Sequence, residues 1–263
     1  MPESPFVTVF TMTFNQRAKV LLLADDLARQ RYPTDRFELV VLDDGSTDGT
    51  SDALHLVTPE LPYDLRVLRR EREGDYLSAK RWNECIATAA PTHQVLIQVD
   101  DVRVRPDFVD RHVRWHSGGQ LTLVTGAKFE GDRETWDPAS CRRARLAGAD
   151  GSARELTAWT AVWGASLSYP RALVAALWRG PFERPFDERM TGWGFHEIEF
   201  AYRAVRAGAR VVYDPAAGVF HQNHTPRNDR GRGIDHDRHK ALDGARNEEY
   251  VRSKHGLTAL PRW

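Results

Sequence analysis

Two apolar stretches of strand length each end in a pair of acids, and this repeated pattern constrains the fold more than any other feature. The stretches are residues 37–44, FELVVLDD, and residues 96–101, LIQVDD. In an open α/β sheet, the carboxyl ends of parallel strands form the edge at which ligands bind. One acid pair after a strand is more often a solvated turn, but two such ends side by side predict an acidic crevice. Carboxylate oxygens there suit a divalent cation, and the cation suits a diphosphate.

Strand-like and helix-like segments alternate through the first hundred residues. The patterns predict strands at 6–13, 37–42, 64–68 and 95–99, and helices at 16–31, 48–56 and 77–89. We expect Asn15 to cap the first helix and Ser46 or Thr47 to cap the second. Such alternation requires right-handed crossovers between parallel strands. The sequence therefore predicts an α/β fold with a mostly parallel central sheet flanked by helices.

The regular alternation of strand-like and helix-like segments ends after Pro106. The patterns there predict helices at 107–116, 170–178, 195–207 and 236–254, and strands at 121–128, 158–168, 210–213 and 218–221. Residues 130–155 are polar and without an apolar period, so we interpret them as a surface insertion. Because no linker is long enough to separate two domains, we expect a single domain over 1–263.

Composition excludes several classes of function. Lysine plus arginine equals aspartate plus glutamate at 37 each, so no overall field favours nucleic acid or an anionic membrane. No apolar run is long enough to span a bilayer, and the first residues are not typical of a signal peptide. The two cysteines, Cys85 and Cys141, lack metal-ligand spacing and imply no disulfide framework. We therefore expect reduced thiols and a cytoplasmic location.

Five motifs together resemble a known family. They are VTVFTMTFN at 7–15, VVLDDGSTDGT at 40–50, AKRWN at 79–83, FDE at 186–188 with GWG at 192–194, and HQ at 221–222. The chain resembles the inverting nucleotide-sugar glycosyltransferases of family 2 over nearly its whole length. Its FDE and GWG motifs are similar to the acceptor-side motif of chondroitin-polymerase-like and galactosyltransferase-like members.

The resemblance implies a GT-A fold, with a Rossmann-like, mostly parallel sheet and a smaller acceptor-side half. The nucleotide-sugar half would comprise residues 1–105 and the acceptor half residues 106–263. The implied reaction is metal-dependent, inverting transfer of a sugar from a UDP-sugar to a hydroxyl or amine acceptor. Polysaccharides, glycolipids and small biosynthetic intermediates all remain open as acceptors.

The resemblance also implies roles in donor binding. Asp44 would accept a hydrogen bond from the uracil N–H, and Asp100 would hold the ribose hydroxyls. Asp101 and His221 would bind Mn²⁺ or Mg²⁺, with His224 as the competing ligand. Other expected donor contacts are Thr13, Phe14, Lys80, Arg81 and Trp193, although a solvated helix face is the alternative for Lys80 and Arg81. Arg227, Arg230 and Arg232 resemble a flexible loop that closes over the diphosphate, and an exposed basic loop without a role is the equal alternative.

An inverting transfer needs one base within hydrogen-bond reach of the attacking group. Glu197 is the expected base, provided that burial offsets the helix dipole, which favours its ionised form. His196 is the alternative base, and Glu199 is expected to be structural. Trp163 and Trp193 offer flat faces for a sugar ring, with burial in the core as the alternative.

Two positions depart from the family pattern, and they keep other functions open. Val99 stands where the family's Asp-x-Asp motif begins, and His196 stands where an acid is usual. A nucleotide-sugar-binding protein without turnover is therefore an alternative. A metal-dependent phosphohydrolase using the two acid pairs is another.

Overall fold

The computed structural model describes residues 3–74, 76–131, 133–141, 143–180, 183–222 and 236–262. The strands are β1 (Val7–Thr13), β2 (Phe37–Asp43), β3 (Asp64–Arg69), β4 (Val95–Val99), β5 (Val102–Val104), β6 (Thr122–Gly131), β7 (Arg154–Leu156), β8 (Ser166–Pro170) and β9 (Arg210–Gln222). The α-helices are α1 (Arg17–Ala28), α2 (Thr50–Val57), α3 (Ser78–Thr88), α4 (Phe108–Val113), α5 (Arg171–Leu177), α6 (His196–Arg206) and α7 (His236–His255). None of the helices in these ranges is long and apolar enough to cross a membrane.

The described strands form one mixed sheet in the order β3-β2-β1-β4-β8-β6-β9-β5, with β7 paired to β9. Strands β3, β2, β1 and β4 are parallel, as the alternating pattern predicts. Strand β8 then pairs antiparallel to both β4 and β6. The prediction of a mostly parallel sheet holds for these four strands and for β6 with β9, whereas β8, β5 and β7 pair antiparallel to their neighbours. Helices joining consecutive strands dictate the parallel part, whereas β8 arrives through a loop.

The sheet is buried on both faces. All seven residues of β2 are buried, which is why this strand is an unbroken apolar run rather than an alternating one. Phe10 and Leu42 belong to one apolar cluster, which α3 and α6 cover. Val9 and Val41 belong to the other, which α1 and α4 cover. This packing fixes the strand register, and with it the position of the acids at the strand ends.

The turns after β1 and β2 are joined to each other. Asn15 has a φ of +51°, and its side-chain oxygen accepts a hydrogen bond from the Thr47 N–H at 2.8 Å. In return, the Asn15 N–H donates to Ser46 Oγ at 2.8 Å. The predicted caps are therefore wrong, because Gln16 and Gly49 precede the two helices and neither helix has a side-chain cap. Instead, these polar residues hold the two acidic turns side by side.

Residues 130–155 are more integrated than a surface insertion. Cys141 and Leu146 are buried in a third cluster with Phe129 and Tyr213, and β7 pairs with β9. The strand predicted at 158–168 is also partly wrong. Residues Trp159–Ala161 form a 3-10 turn, and extended structure begins at Ser166. A single long strand, β9, replaces the two short strands predicted at 210–221.

Candidate active site

A cavity of about 550 Å³ opens at the carboxyl ends of β1 and β4. Four parts of the chain surround it: the β1–α1 turn, the acids after β4, the loop before β8 and the first turn of α6. Residues of β6, β9 and α7 complete the wall. The polar and aromatic lining residues include Thr13, Phe14, Lys19, Tyr76, Asp100, Asp101, Lys128, Glu130, Arg143, Trp163, Trp193, His196, Glu197, His221 and Lys240. The structure thus brings together most of the predicted site residues at the predicted sheet edge.

Asp101 lies at the centre of a small polar cluster. One carboxylate oxygen, Oδ1, is 3.2 Å from His221 Nε2. The other, Oδ2, accepts a hydrogen bond from Lys19 Nζ at 2.5 Å. Pairing of β5 with β9 sets this arrangement, because it places Val102 opposite His221. The Lys19 ammonium also donates to the Gln222 carbonyl at 2.9 Å, which ties α1 to the end of β9.

The Asp101–His221 pair suits a divalent cation in its chemistry and spacing. Cis ligands of an octahedral ion, each about 2.0–2.1 Å from the metal, lie about 3 Å apart. The described residues contain no group of three or more His, Cys, Asp or Glu that could hold a metal. The pair would thus be a partial ligand set, which a diphosphate and water would complete. His224 and the predicted closing loop, Arg227, Arg230 and Arg232, lie outside the described residues.

Glu197 lines the same cavity and lies at the start of α6. Burial, and next the Asp100 carboxylate, raise the pKa of Glu197 to about 7. Hydrogen bonds from the Gln98 amide, 3.4 Å away, and from the Gly164 N–H partly lower this pKa again. Burial is therefore the largest cause of the raised Glu197 pKa. Gly164 leaves room for both side chains, because a Cβ at this position would lie 2.2 Å from Glu197 Oε1 and 2.3 Å from Gln98 Nε2 and would displace them.

The residues on either side of Glu197 have different environments. His196 is buried edge-on against Trp82, and burial lowers its pKa to about 4. Although Glu199 is buried, hydrogen bonds from His255 and Arg203 hold its pKa at about 2. His196 is therefore a weak base in a packed position, and Glu199 has the structural role expected of it.

Asp44 lies behind the cavity lining rather than in it. Its two oxygens accept hydrogen bonds from Arg81 Nε at 2.7 Å and Arg72 Nη1 at 3.2 Å. The Arg72 guanidinium also stacks on the Phe14 ring at 3.8 Å, and Phe14 lines the cavity. Phe14 is thus the member of this cluster that lines the cavity, with Arg72 stacked on its ring and Asp44 paired to Arg72. Asp100 lines the cavity directly, and burial followed by repulsion from Asp101 raises its pKa.

Two predicted donor contacts are directed elsewhere. The Arg81 side chain is fully buried and pairs with Asp44 and Glu84, so a solvated face is wrong for this residue. Lys80 is partly exposed and pairs with Glu73 at 2.7 Å. Neither Arg81 nor Lys80 is among the described residues that line the cavity. Val99 also departs from the motif for a packing reason, because its side chain is fully buried beneath α1.

The two tryptophans form separate walls. Trp193 is 46% exposed, so burial in the core is excluded for it. The backbone N–H of Trp193 donates a hydrogen bond to the Asp243 carboxylate of α7 at 3.1 Å. Gly192 and Gly194, on either side of Trp193, have positive φ values. Trp163 donates to the Gly126 carbonyl at 3.0 Å, and the Arg143 guanidinium stacks on its ring at 3.7 Å.

Sequence reasoning missed Lys19 and Arg143. Lys19 is the lone cation within an apolar helix face, and that misplaced charge was a usable signal. Arg143 belongs to the polar segment 130–155, in which nothing distinguishes it from neighbouring arginines. Thr13, by contrast, is one of the predicted donor contacts. Its hydroxyl is buried at the cavity and has no hydrogen-bond partner in the described structure.

The family model for glycosyl transferase family 2 matches residues 8–178, more than half of the chain. The chain belongs to this family. Validoxylamine A glucosyltransferase of Streptomyces hygroscopicus subsp. jinggangensis is 28% identical over 227 residues, which cover 76% of this chain and 51% of that protein. The chain therefore spans about half the length of this relative. A β-monoglucosyldiacylglycerol synthase from Nostoc is 37% identical, but only over 71 residues.

Solved structures of glycosyltransferases share the fold. A mannosyltransferase from Pyrobaculum calidifontis, in complex with GDP-Man and Mn²⁺, matches with a TM-score of 0.66 and 22% identity. The match covers 93% of this chain and 64% of that one. S. aureus TarS 1–349 in complex with UDP-GlcNAc matches with a TM-score of 0.61 and 14% identity over 94% of this chain and 71% of that one. The predicted GT-A fold is thereby confirmed.

Proposed function

We propose that this chain transfers a hexose from a nucleoside diphosphate sugar, a UDP-sugar in the first instance, to a hydroxyl or amine acceptor. The observation that carries the proposal is the position of Glu197, a carboxylate with a raised pKa, in the same cavity as the Asp101–His221 pair. A base works best when its pKa lies near the working pH. This property favours turnover over a protein that only binds nucleotide sugars.

The donor would lie between the β1–α1 turn and the acids after β4. Phe14 and the Asp44–Arg72 pair provide a surface for the base, and Asp100 provides an acceptor for ribose hydroxyls. Asp101 and His221 would hold Mn²⁺ or Mg²⁺, which would neutralise charge on the departing diphosphate when bound. We retain the division into a nucleotide half, 1–105, and an acceptor half, 106–263, as part of this proposal.

The acceptor would approach from the side of the two tryptophans. Glu197 would remove a proton from its hydroxyl or amine, and a single displacement would invert the anomeric configuration. The exposed face of Trp193 is a surface on which a sugar ring can stack. The Streptomyces relative is named for transfer to validoxylamine A. Validoxylamine A therefore joins simple sugars and glycolipids among the first acceptors to test.

The test is a transfer assay in which UDP-glucose, UDP-galactose, UDP-GlcNAc and GDP-mannose are each combined with Mn²⁺ and an acceptor panel. We expect a glycosylated product by mass spectrometry, and proton NMR should show inversion of the donor's configuration. Glu197→Gln should bind UDP but form no product. Retention of configuration would exclude the inverting mechanism, and donor hydrolysis with no glycoside from any acceptor would contradict the transferase proposal.

A further inference from the structure

Lys19 lies in the candidate metal site without being a metal ligand. It is on the first turn of α1, its side chain is 7% exposed, and it lines the cavity. Its ammonium contacts the same carboxylate that would bind the cation, on the oxygen that His221 does not contact. A buried lysine next to one aspartate and a backbone carbonyl is a fixed positive charge rather than a surface ion pair.

The geometry leaves the ammonium one hydrogen for a ligand. A lysine ammonium has three donors. In the described structure, Asp101 Oδ2 and the Gln222 carbonyl take two of them. The third remains for a ligand in the cavity, which Lys128, Arg143 and Lys240 also line. Lys19 contacts the Asp101 carboxylate directly, so it offsets part of the repulsion between the adjacent acids Asp100 and Asp101 and a diphosphate.

We propose that Lys19 is a charge-compensating residue that shares the Asp101 carboxylate with the divalent cation and supplies part of the positive charge for the donor diphosphate. This inference rests on the proposed function, since it concerns the same donor site. It has two consequences, because the Lys19 charge should strengthen diphosphate binding and weaken metal binding. Metal-free protein should keep measurable affinity for a diphosphate, and the metal should bind less tightly than it would to an uncompensated aspartate.

The experiment removes the charge and keeps the shape. Lys19→Met retains the length of the side chain, and Lys19→Gln retains a hydrogen-bond donor, so at least one neutral variant is expected to fold. The matched control is Arg29→Gln, which removes the cation of an exposed pair with Asp25 at the carboxyl end of α1. Calorimetry at pH 8 measures UDP and pyrophosphate binding in EDTA, and separately Mn²⁺ binding without nucleotide.

Loss of Lys19 should weaken UDP and pyrophosphate binding in EDTA about 10- to 100-fold, the range of a lost charge-assisted contact. In the same variants, Mn²⁺ should bind at least about threefold more tightly, because the second cation no longer competes for Asp101. Arg29→Gln should match the wild type in both measurements. A merely structural role for Lys19 would weaken both ligands together.

Unchanged UDP and pyrophosphate affinity in EDTA would overturn the proposal, as would Mn²⁺ affinity that is unchanged or weaker. A Lys19→Gln variant that behaves like wild type would also overturn it, because the effect would then come from hydrogen bonding alone. Failure of the proposed function has a different signature. Wild-type protein that binds pyrophosphate but not UDP or GDP, even with Mn²⁺, would refute the donor assignment while leaving the role of Lys19 supported.

Discussion

Replacing Glu197 by Gln should abolish transfer and, at alkaline pH, stabilise the fold. The ordinary pKa of the carboxyl is 4.5, and burial followed by Asp100 raises it to about 7 in the folded chain. The unfolded chain therefore loses this proton first as the pH rises. Stability conferred by the protonated form is complete below about pH 4.5 and is lost progressively until the pH passes about 7. Each pKa unit corresponds to about 1.4 kcal/mol, so the cost of the ionised carboxylate at pH 8 is at most about 3.4 kcal/mol.

The amide of Glu197→Gln has no charge to desolvate and can remain within reach of Gln98 and the Gly164 N–H. For a chain of this size, about 1 kcal/mol shifts the melting temperature by roughly 2–4 °C. We therefore expect the variant to melt several degrees above wild type at pH 8 and close to it at pH 5. Differential scanning calorimetry at the two pH values, with a transfer assay on the same samples, measures both effects.

Glu199→Gln is the matched control, because it makes the same change two residues away in the opposite environment. Burial opposes its ionisation, but His255 and Arg203 hold its pKa at about 2. Its contribution to stability is present above the ordinary pKa and is lost as the pH falls toward 2. The control should therefore melt below wild type at pH 8. Equal melting temperatures for Glu197→Gln and wild type at pH 8 would refute the raised pKa, and transfer at near wild-type rate would refute its role as base.

Four further outcomes are expected. Transfer should rise about tenfold between pH 6 and pH 8 as Glu197 ionises, which a pH–rate profile measures. Asp101→Ala should remove the Mn²⁺-dependent part of UDP affinity in calorimetry, and equal losses with Mn²⁺ and EDTA would contradict the metal assignment. Asp44→Ala should weaken uridine binding by about 1–3 kcal/mol with or without metal; an effect on metal dependence alone would exclude the base pocket. Gly164→Ala should displace Glu197 and abolish transfer, while UDP affinity stays within about twofold by the same calorimetry.

The acidic edge could be predicted because its signals are local. An apolar run and the acids that follow it are contiguous, and the crossovers between β1, β2 and β4 fix which edge they share. Different roles for Glu197 and Glu199 could also be predicted from the sequence, because side chains two residues apart on a helix point in directions that differ by roughly 200°. Sequence alone could not give the ion pairs that separate the two residues, because burial opposes the ionisation of both carboxyls, whereas Glu199 is also bound by cations that lower its pKa. Two of these cations, Lys254 and His255 of α7, lie 55 and 56 residues further along the chain than Glu199.

The contacts of Lys19 could not be predicted for a topological reason. Its partners are 82 residues away at Asp101 and 203 residues away at Gln222. They meet only because β9 lies beside β5 in the sheet and pairs with it. Strand periodicity in the sequence carries no information on strand order or direction. The antiparallel insertion of β8 was missed for the same cause. Arg143 was missed because local pattern does not distinguish an arginine that reaches a cavity from one that is solvated.

The first turn of α6 contains two carboxylates whose surroundings shift their pKa values in opposite directions, upward for Glu197 and downward for Glu199. This difference links the fold to the chemistry. Glu199 is bound by Arg203 and by Lys254 and His255 of α7, so it anchors the start of α6 to the last helix. The same helix binds the backbone of the GWG turn through Asp243 and Asn247. The ionised Glu197 carboxylate is destabilised by its partly buried surroundings, which raise its pKa to about 7. We expect the contacts of α7 to hold the first turn of α6 in place and so to keep this pKa near neutrality, where a general base is most effective.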